Sequence, residues 1–386
     1  MRLGDYIEEL CEKTNINNQY EVLTSSQNGI VSQKDYFNKQ VASENNIGYK
    51  IIKKGEFTYR SMSDTGLFYI NQLINYEIGI VSPAYPVFRI SNNNLDPEFL
   101  QFYFQSSKFQ HQICNQSTGS TRLALKFRKL ASLDISIPSL IKQKKIICNL
   151  KTFKNAIKIE EKQLFLLDEL IKSRFNEMFG NPIDNPHNFK VNYLSNLGYL
   201  SRGKSKHRPR NDPKLLGGPY PLIQTGDVKQ ADLYISHYES TYSEFGLNQS
   251  KLWPKGTLCI TIAANIAETA ILKFDACFPD SVVGFIANEK ANTIFIRYQI
   301  EALKEFLNSK ATEVAQKNLN IEKLESVQFM TPEINPQNEF ASFVEQVDKL
   351  KFVVHSRYFL CEILTLFSST IAYSRVVSIL ACPNIF

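Results

Sequence analysis

The sequence lacks most of the features that mark secreted, membrane or metal-dependent proteins. Its seven cysteines (Cys11, Cys114, Cys148, Cys259, Cys277, Cys361, Cys382) are odd in number, scattered and without a CxxC pair. Neither a disulfide framework nor a zinc site is therefore indicated, and a reducing cytoplasm is the expected setting. No apolar run is long enough to span a bilayer, and the first residues, MRLGDYIEEL, lack the basic start and unbroken apolar stretch of a signal peptide. A soluble chain without membrane association is expected. The five histidines (His111, His187, His207, His237, His355) show no HExxH or other paired-ligand spacing, and no GxxxxGK[ST] loop is present to cradle a nucleotide. No metal or cofactor is expected on this chain.

What is there is ordinary globular material. Of 386 residues, 43% are hydrophobic and 21% charged, well away from the composition of disorder. At about 100 to 200 residues per domain, this length favours two domains over one. The net charge of +6 is compatible with a polyanionic partner, although it falls short of a histone-like excess.

The chain is internally duplicated, with equivalent residues about 194 to 201 positions apart. Lys54-Gly55-Glu56-Phe57 precedes a strand-like stretch, as does Lys255-Gly256-Thr257-Leu258. Further on, Leu125, Leu130, Ile135, Pro138 and Gln143 match Leu319, Leu324, Phe329, Pro332 and Gln337 at a constant offset of 194. Each stretch reads as a short strand (LDISIP, VQFMTP) stopped by a proline, which cannot donate to a ladder. A long helix then begins in each half.

The first helix is expected from about Leu140 to Phe179, with apolar residues at Ile146, Leu150, Phe153, Ile157, Leu164, Leu167, Ile171 and Met178. Steps alternating four and three make the seam of a coiled coil, broken by Glu160 and Arg174. Such a rod is about 60 Å long. Gly180-Asn181-Pro182 supplies the stop. The second helix, expected from about Asn338 to Ser369, repeats the pattern at Phe343, Val347, Leu350, Val354, Cys361 and Leu364, broken by Arg357. In matched heptads Glu160 and Arg357 hold equivalent positions, so an antiparallel pair is expected to join them in a central ion pair. Such a pair is credited with fixing register rather than adding stability; the alternative is two solvated charges.

Residues 1–139 and 181–335 are read as α/β domains, and 140–180 and 336–386 as the helices that follow them, the last with a tail. The expected fold class is α+β, two domains separated by two long helices in an antiparallel coiled coil, with a pseudo-two-fold internal repeat. The aromatic run Phe99, Phe102, Tyr103, Phe104 is assigned to packing.

The most basic cluster is Ser201 to Arg210, where Arg202, Lys204, Lys206, Arg208 and Arg210 place five cations in nine residues. Glycine, proline and serine make it a loop, and its cations suit phosphate contacts and guanine recognition. In the first half Thr118, Ser120, Thr121 and Arg122 surround Gly119, and Gln316, Lys317 and Asn318 form the counterpart in the second. Hydroxyls, amides and cations suit phosphate positioning and base-edge contacts. A plain solvated loop or turn is the alternative at each place. Thr261-Ile262-Ala263-Ala264-Asn265-Ile266 has a superficial likeness to a methyltransferase asparagine motif, but the Pro-Pro-aromatic continuation and a glycine-rich cofactor loop are missing. It is read as a structural strand and turn.

The chain resembles the specificity subunits of Type I restriction-modification systems over nearly its whole length. The marks are LGDYI at the start, EIGIVSPAYPVFRI (Glu77 to Ile90), STGSTRLAL followed by LDISIPSLIKQKKI, PLIQTGDV (Pro221 to Val228) and KNLNIEKLESVQFMTP; their order and duplication carry the match. The resemblance implies two target-recognition domains, each reading one half of a split duplex DNA site, with the helices as a ruler. It also implies that S-adenosylmethionine and ATP with Mg belong to partner chains: modification subunits that methylate adenine and restriction subunits that translocate and cut. Those subunits are expected to dock on the helices. The terminus FSSTIAYSRVVSILACPNIF departs from the usual polar end, which leaves open an altered or recombined copy, or a tail that packs back on the first domain. Two other readings are a stand-alone DNA methyltransferase or nuclease, and a coiled-coil protein without DNA affinity.

Overall fold

The computed structural model describes residues 1–36, 44–116, 123–263, 266–309 and 321–373. They fall into two compact units, one of residues 1–161 with 356 onward, the other Lys162–His355.

In the first unit an antiparallel sheet runs in the order Ile7–Leu10, Val87–Ile90, Phe57–Thr58, Asn71–Gln72. Its inner face is aromatic. Phe57 stacks on Phe88 with centroids 5.3 Å apart, and Phe104 meets Phe109 at 4.9 Å. Phe99, Tyr103 and Phe104 are buried and Phe102 is partly so, and each fully buried phenylalanine side chain contributes about 1.5–3 kcal/mol over an exposed one. They lie on the helix Pro97–Gln105, which starts where it does because the Asp96 side chain accepts from the Glu98 and Phe99 N–H groups and Pro97 needs no N–H partner.

The second unit contains a five-stranded sheet, Gly198–Arg202, Val282–Ala287, Leu258–Thr261, Thr269–Leu272, Tyr234–Ile235, antiparallel except for its last pair. A four-stranded sheet, Ser240–Tyr242, Leu216–Leu222, Ala276–Cys277, Leu252–Trp253, accompanies it. The helix Thr293–Ala302 is capped by Asn292, whose side chain accepts from Ile294 and Phe295 N–H. The duplicated Lys-Gly turns also match. Gly55 (φ 90°) donates to Leu73 O and Gly256 (φ 87°) to Leu272 O, both at 2.9 Å, in a left-handed conformation that glycine adopts without steric cost.

The two stretches expected as proline-stopped strands differ. Gln328–Met330 forms a strand with Val191–Tyr193. LDISIP forms only one bridge, Asp134 with Arg2, because the facing segment coils at once into the 3-10 turn Leu3–Asp5.

The long helices are Leu140–Phe179 and Ile334–Tyr373. The second begins a turn before its expected start, since Pro336 falls in the first turn, where its missing N–H leaves no bond unmade. Gly180 (φ 71°) ends the first helix, donating to Asn176 O at 2.9 Å. Within the second unit the Lys351 ammonium pairs with Asp168, while Arg174 lies 2.9 Å from Glu339. As one helix advances its partner recedes, so they run antiparallel. On the first helix Leu150, Glu160 and Ile171 are buried, and Ile146, Phe153, Ile157, Leu164 and Leu167 are partly buried. On the second, Val347 and Val354 are buried and Phe343, Cys361 and Leu364 partly buried.

Leu350 is a correction to the expected seam. It is 56% exposed, and Lys351, 7% exposed, takes the inward place. Three- and four-residue steps from Val347 both fit a helix. The four-residue step prevails because Lys351 buries its aliphatic stem and brings its ammonium to Asp168, with Asp232 4.0 Å away. The fold is α+β with an internal repeat, built from two α/β domains and two long helices paired as an antiparallel coiled coil.

Candidate nucleic-acid interface

The five-cation loop leaves the sheet at Arg202. It is pinned at once by Gly203, whose N–H donates to Val282 O at 2.9 Å; a β-carbon there would stand 2.2 Å from Phe278 O. Gln249 holds the next stretch, its Oε1 accepting from Lys206 N at 2.6 Å and His207 N at 3.1 Å. His207 then meets Asp212 at 2.8 Å and packs edge-on to Phe245. The Lys214 backbone N–H, and after it His207, hold the Asp212 carboxyl below the ordinary aspartate value.

These contacts sort the five cations into two groups. Arg208 donates to the Ser205 and His207 carbonyls at 2.6 and 2.9 Å and lies 3.9 Å from Asp280, while Arg210 sits 2.6 Å from the same carboxylate. Arg202, Lys204 and Lys206 are exposed, and their side chains make no ion pair among the described residues. Three cations are thus presented to solvent, and two are committed to Asp280.

Beside the loop stands a group that the sequence reading did not select. Lys251 Nζ lies 3.6 Å from the Trp253 ring centroid and 4.3 Å from that of Tyr199, and donates to Tyr199 Oη at 3.1 Å. The Tyr199 phenol is lowered from its ordinary value by that hydrogen bond first, with Ser201, Lys251 and Lys204 adding to it. Gly284 makes room for the arrangement, since a β-carbon there would fall 2.6 Å from the indole. Only the spacing of Lys251 and Trp253 could have signalled it, and that spacing is uninformative until Tyr199, 52 positions away, is brought over.

Thr118, Ser120, Thr121 and Arg122 of the first half, and Gln316, Lys317 and Asn318 of the second, lie outside the described residues. The former stretch leads into Leu123–Ala124, paired with Met62–Ser63. A cavity of about 150 Å³ lined by Ser25, Arg60, Ser63, Thr65 and Tyr69 adjoins that pair. Thr261 closes the strand Leu258–Thr261, while Ala264 and Asn265 of the same stretch lie outside the described residues.

On the helices Arg357 reaches Glu160 at 3.1 Å, with the Glu160 side chain 11% exposed and the Arg357 side chain 51% exposed. No helix among the described residues is long and apolar enough to cross a membrane.

The model of the Type I restriction modification DNA specificity domain matches the chain twice, over residues 6–167 and 186–356. A curated protein named as the type I restriction enzyme MjaX specificity subunit of Methanocaldococcus jannaschii is 20% identical over 278 residues, covering 68% of this chain. The match spans 64% of that relative's length. Among solved structures, a chain from work on complex assembly and conformational transition of the type I R-M system superposes with a TM-score of 0.61 at 16% identity, covering 96% of each chain. The S subunit of a Type-I restriction-modification system from M. genitalium superposes with a TM-score of 0.54 at 12% identity, covering 98% of this chain and 96% of its own. Both are likenesses of fold.

Proposed function

The chain belongs to the Type I restriction-modification DNA specificity family, and from that premise we propose that it recognises a bipartite duplex DNA target and brings partner subunits to it. The observation that carries this reading is the double match of one DNA-specificity domain, each copy running into one of two antiparallel helices. Two related domains in one chain suit a site with two half-sequences, and the length of the paired helices suits a fixed gap between them. Phosphate contacts would set the register of each domain, and a few base-edge contacts would supply the specificity. The exposed Arg202, Lys204 and Lys206 serve the first task in the second domain. In the first domain Thr118, Ser120, Thr121 and Arg122 are assigned to contact DNA, as are Gln316, Lys317 and Asn318 in the second.

The chain itself is assigned no chemistry. Methyl transfer from S-adenosylmethionine and ATP-dependent translocation and cutting are assigned to modification and restriction subunits that dock on the helices. Long-read methylation mapping, in cells holding the neighbouring modification subunit with and without an intact copy of this chain, tests the reading. A split motif carrying modified adenine should vanish when the chain is removed. A motif that persists, or methyl transfer by the purified chain alone, would overturn it.

A further inference from the structure

Three of the six buried side-chain polar atoms that lack a hydrogen-bond partner among the described residues lie on two neighbouring segments of the second domain: Ser205 Oγ, Gln249 Nε2 and Trp253 Nε1. Ser205 is 6% exposed and Trp253 fully buried. The segments are tied together by the two N–H bonds to Gln249 Oε1 and by Ser250 Oγ, which donates to Lys204 O at 2.9 Å. All three atoms can donate, and a buried donor left unmatched costs about 1–3 kcal/mol. These atoms are closed to solvent and mark where the two segments pack, and the cations at the edge of that packing, exposed Lys204 and Lys206 and half-buried Lys251, suit a ligand that only accepts and is negative, which describes a phosphodiester.

We propose that Lys251, seated over Trp253 and Tyr199 next to Ser205 and Gln249, is a phosphate-contacting residue for duplex DNA, on a segment separate from the five-cation loop. The proposal rests on the DNA-recognition reading above and adds to it a second contact segment, 249–253. The aromatic faces hold the ammonium by cation–π attraction, which lessens the ordering needed when a phosphate arrives. Of the three N–H groups on Lys251, one is used by Tyr199, and the others have no acceptor among the described residues. Arg208 and Arg210 are poorer candidates for the same contact, because Asp280 already engages both.

The chain has a single tryptophan, and it is the residue under Lys251, so the site reports on itself. Full-length protein is titrated with duplex DNA while binding is followed by anisotropy of a labelled duplex and Trp253 by its own emission. DNA is expected to change the emission, and Lys251→Met to abolish that change and reduce the slope of log affinity against log salt by about one. Lys251→Arg should keep most of both. If Lys251→Met binds DNA with an unaltered slope, the proposal falls while the DNA-recognition reading stands. If the unmodified chain shows no duplex binding, both fall. Inorganic phosphate at matched ionic strength forms the control arm, and an equal emission change there would reassign the site to free anions and overturn the assignment to DNA.

Discussion

Gln143 and Gln337 make the same three hydrogen bonds at equivalent places in the two halves. Gln143 Oε1 accepts from Asp96 N at 2.8 Å, and its Nε2 donates to Asn94 O at 2.7 Å and Pro138 O at 2.8 Å. Gln337 Oε1 accepts from Asn292 N at 2.9 Å, and its Nε2 donates to Lys290 O at 3.1 Å and Pro332 O at 2.8 Å. Both glutamines are fully buried. Each joins the capping residue of a domain helix to the proline that precedes a long helix, and so fixes the long helix to its own domain.

Replacing either glutamine by leucine keeps the volume but strands a backbone N–H and two carbonyls. Gln143→Leu and Gln337→Leu are each expected to destabilise by about 2–4 kcal/mol, from the cost of buried groups left unpaired. Urea unfolding followed by circular dichroism measures this; a loss within about 0.5 kcal/mol, the size of an ordinary surface substitution, would mean that the bonds do not hold the junction.

Arg357 and Glu160 should behave unequally when changed. Arg357→Met leaves a carboxylate that is 11% exposed without its partner and should cost about 1–3 kcal/mol. The double variant Glu160→Met with Arg357→Met removes both charges and should recover most of that loss. Thermal unfolding of the two variants side by side decides the point, and equal destabilisation would show that the pair does not interact energetically.

Asp280 restrains two of the loop arginines. Asp280→Asn should release Arg208 and Arg210 toward phosphate, raise affinity for non-specific duplex several-fold at low salt and steepen the salt slope by as much as about two. Exchanging Arg202, Lys204 and Lys206 for glutamine should flatten the slope by about two to three. Should the Arg208/Arg210 double exchange flatten it as much, the division of the loop into presented and restrained cations is wrong.

Removing one heptad from each long helix shortens both by about 10 Å while keeping the seam in phase. The spacing between the methylated half-sequences is expected to shorten, or methylation to cease, when that variant replaces the intact chain in cells. Unchanged spacing in methylation maps would exclude the helices as the measure of the gap.

Much was legible in the sequence because it is local or periodic. The 3.5-residue rhythm from Ile146 to Ile171 marks one face of a helix wherever that helix packs, Gly180-Asn181-Pro182 stops it by backbone sterics alone, and the duplication made Gln143 and Gln337 visible as counterparts. Periodicity also brought Glu160 and Arg357 to matching places. Choices that turn on distant partners were not legible. Whether Leu350 or Lys351 faces inward depends on Asp168, 183 positions earlier, since both steps suit the helix. Arg210 is restrained by Asp280 across 70 positions, and Lys251 gains its place only once Tyr199 and Trp253 form a surface. By itself the sequence determined the repeat, the helices and the stock of cations; the tertiary structure decided which charges are paired and which are presented, because Coulombic and hydrogen-bond contacts act through space over a few ångströms whatever the separation along the chain.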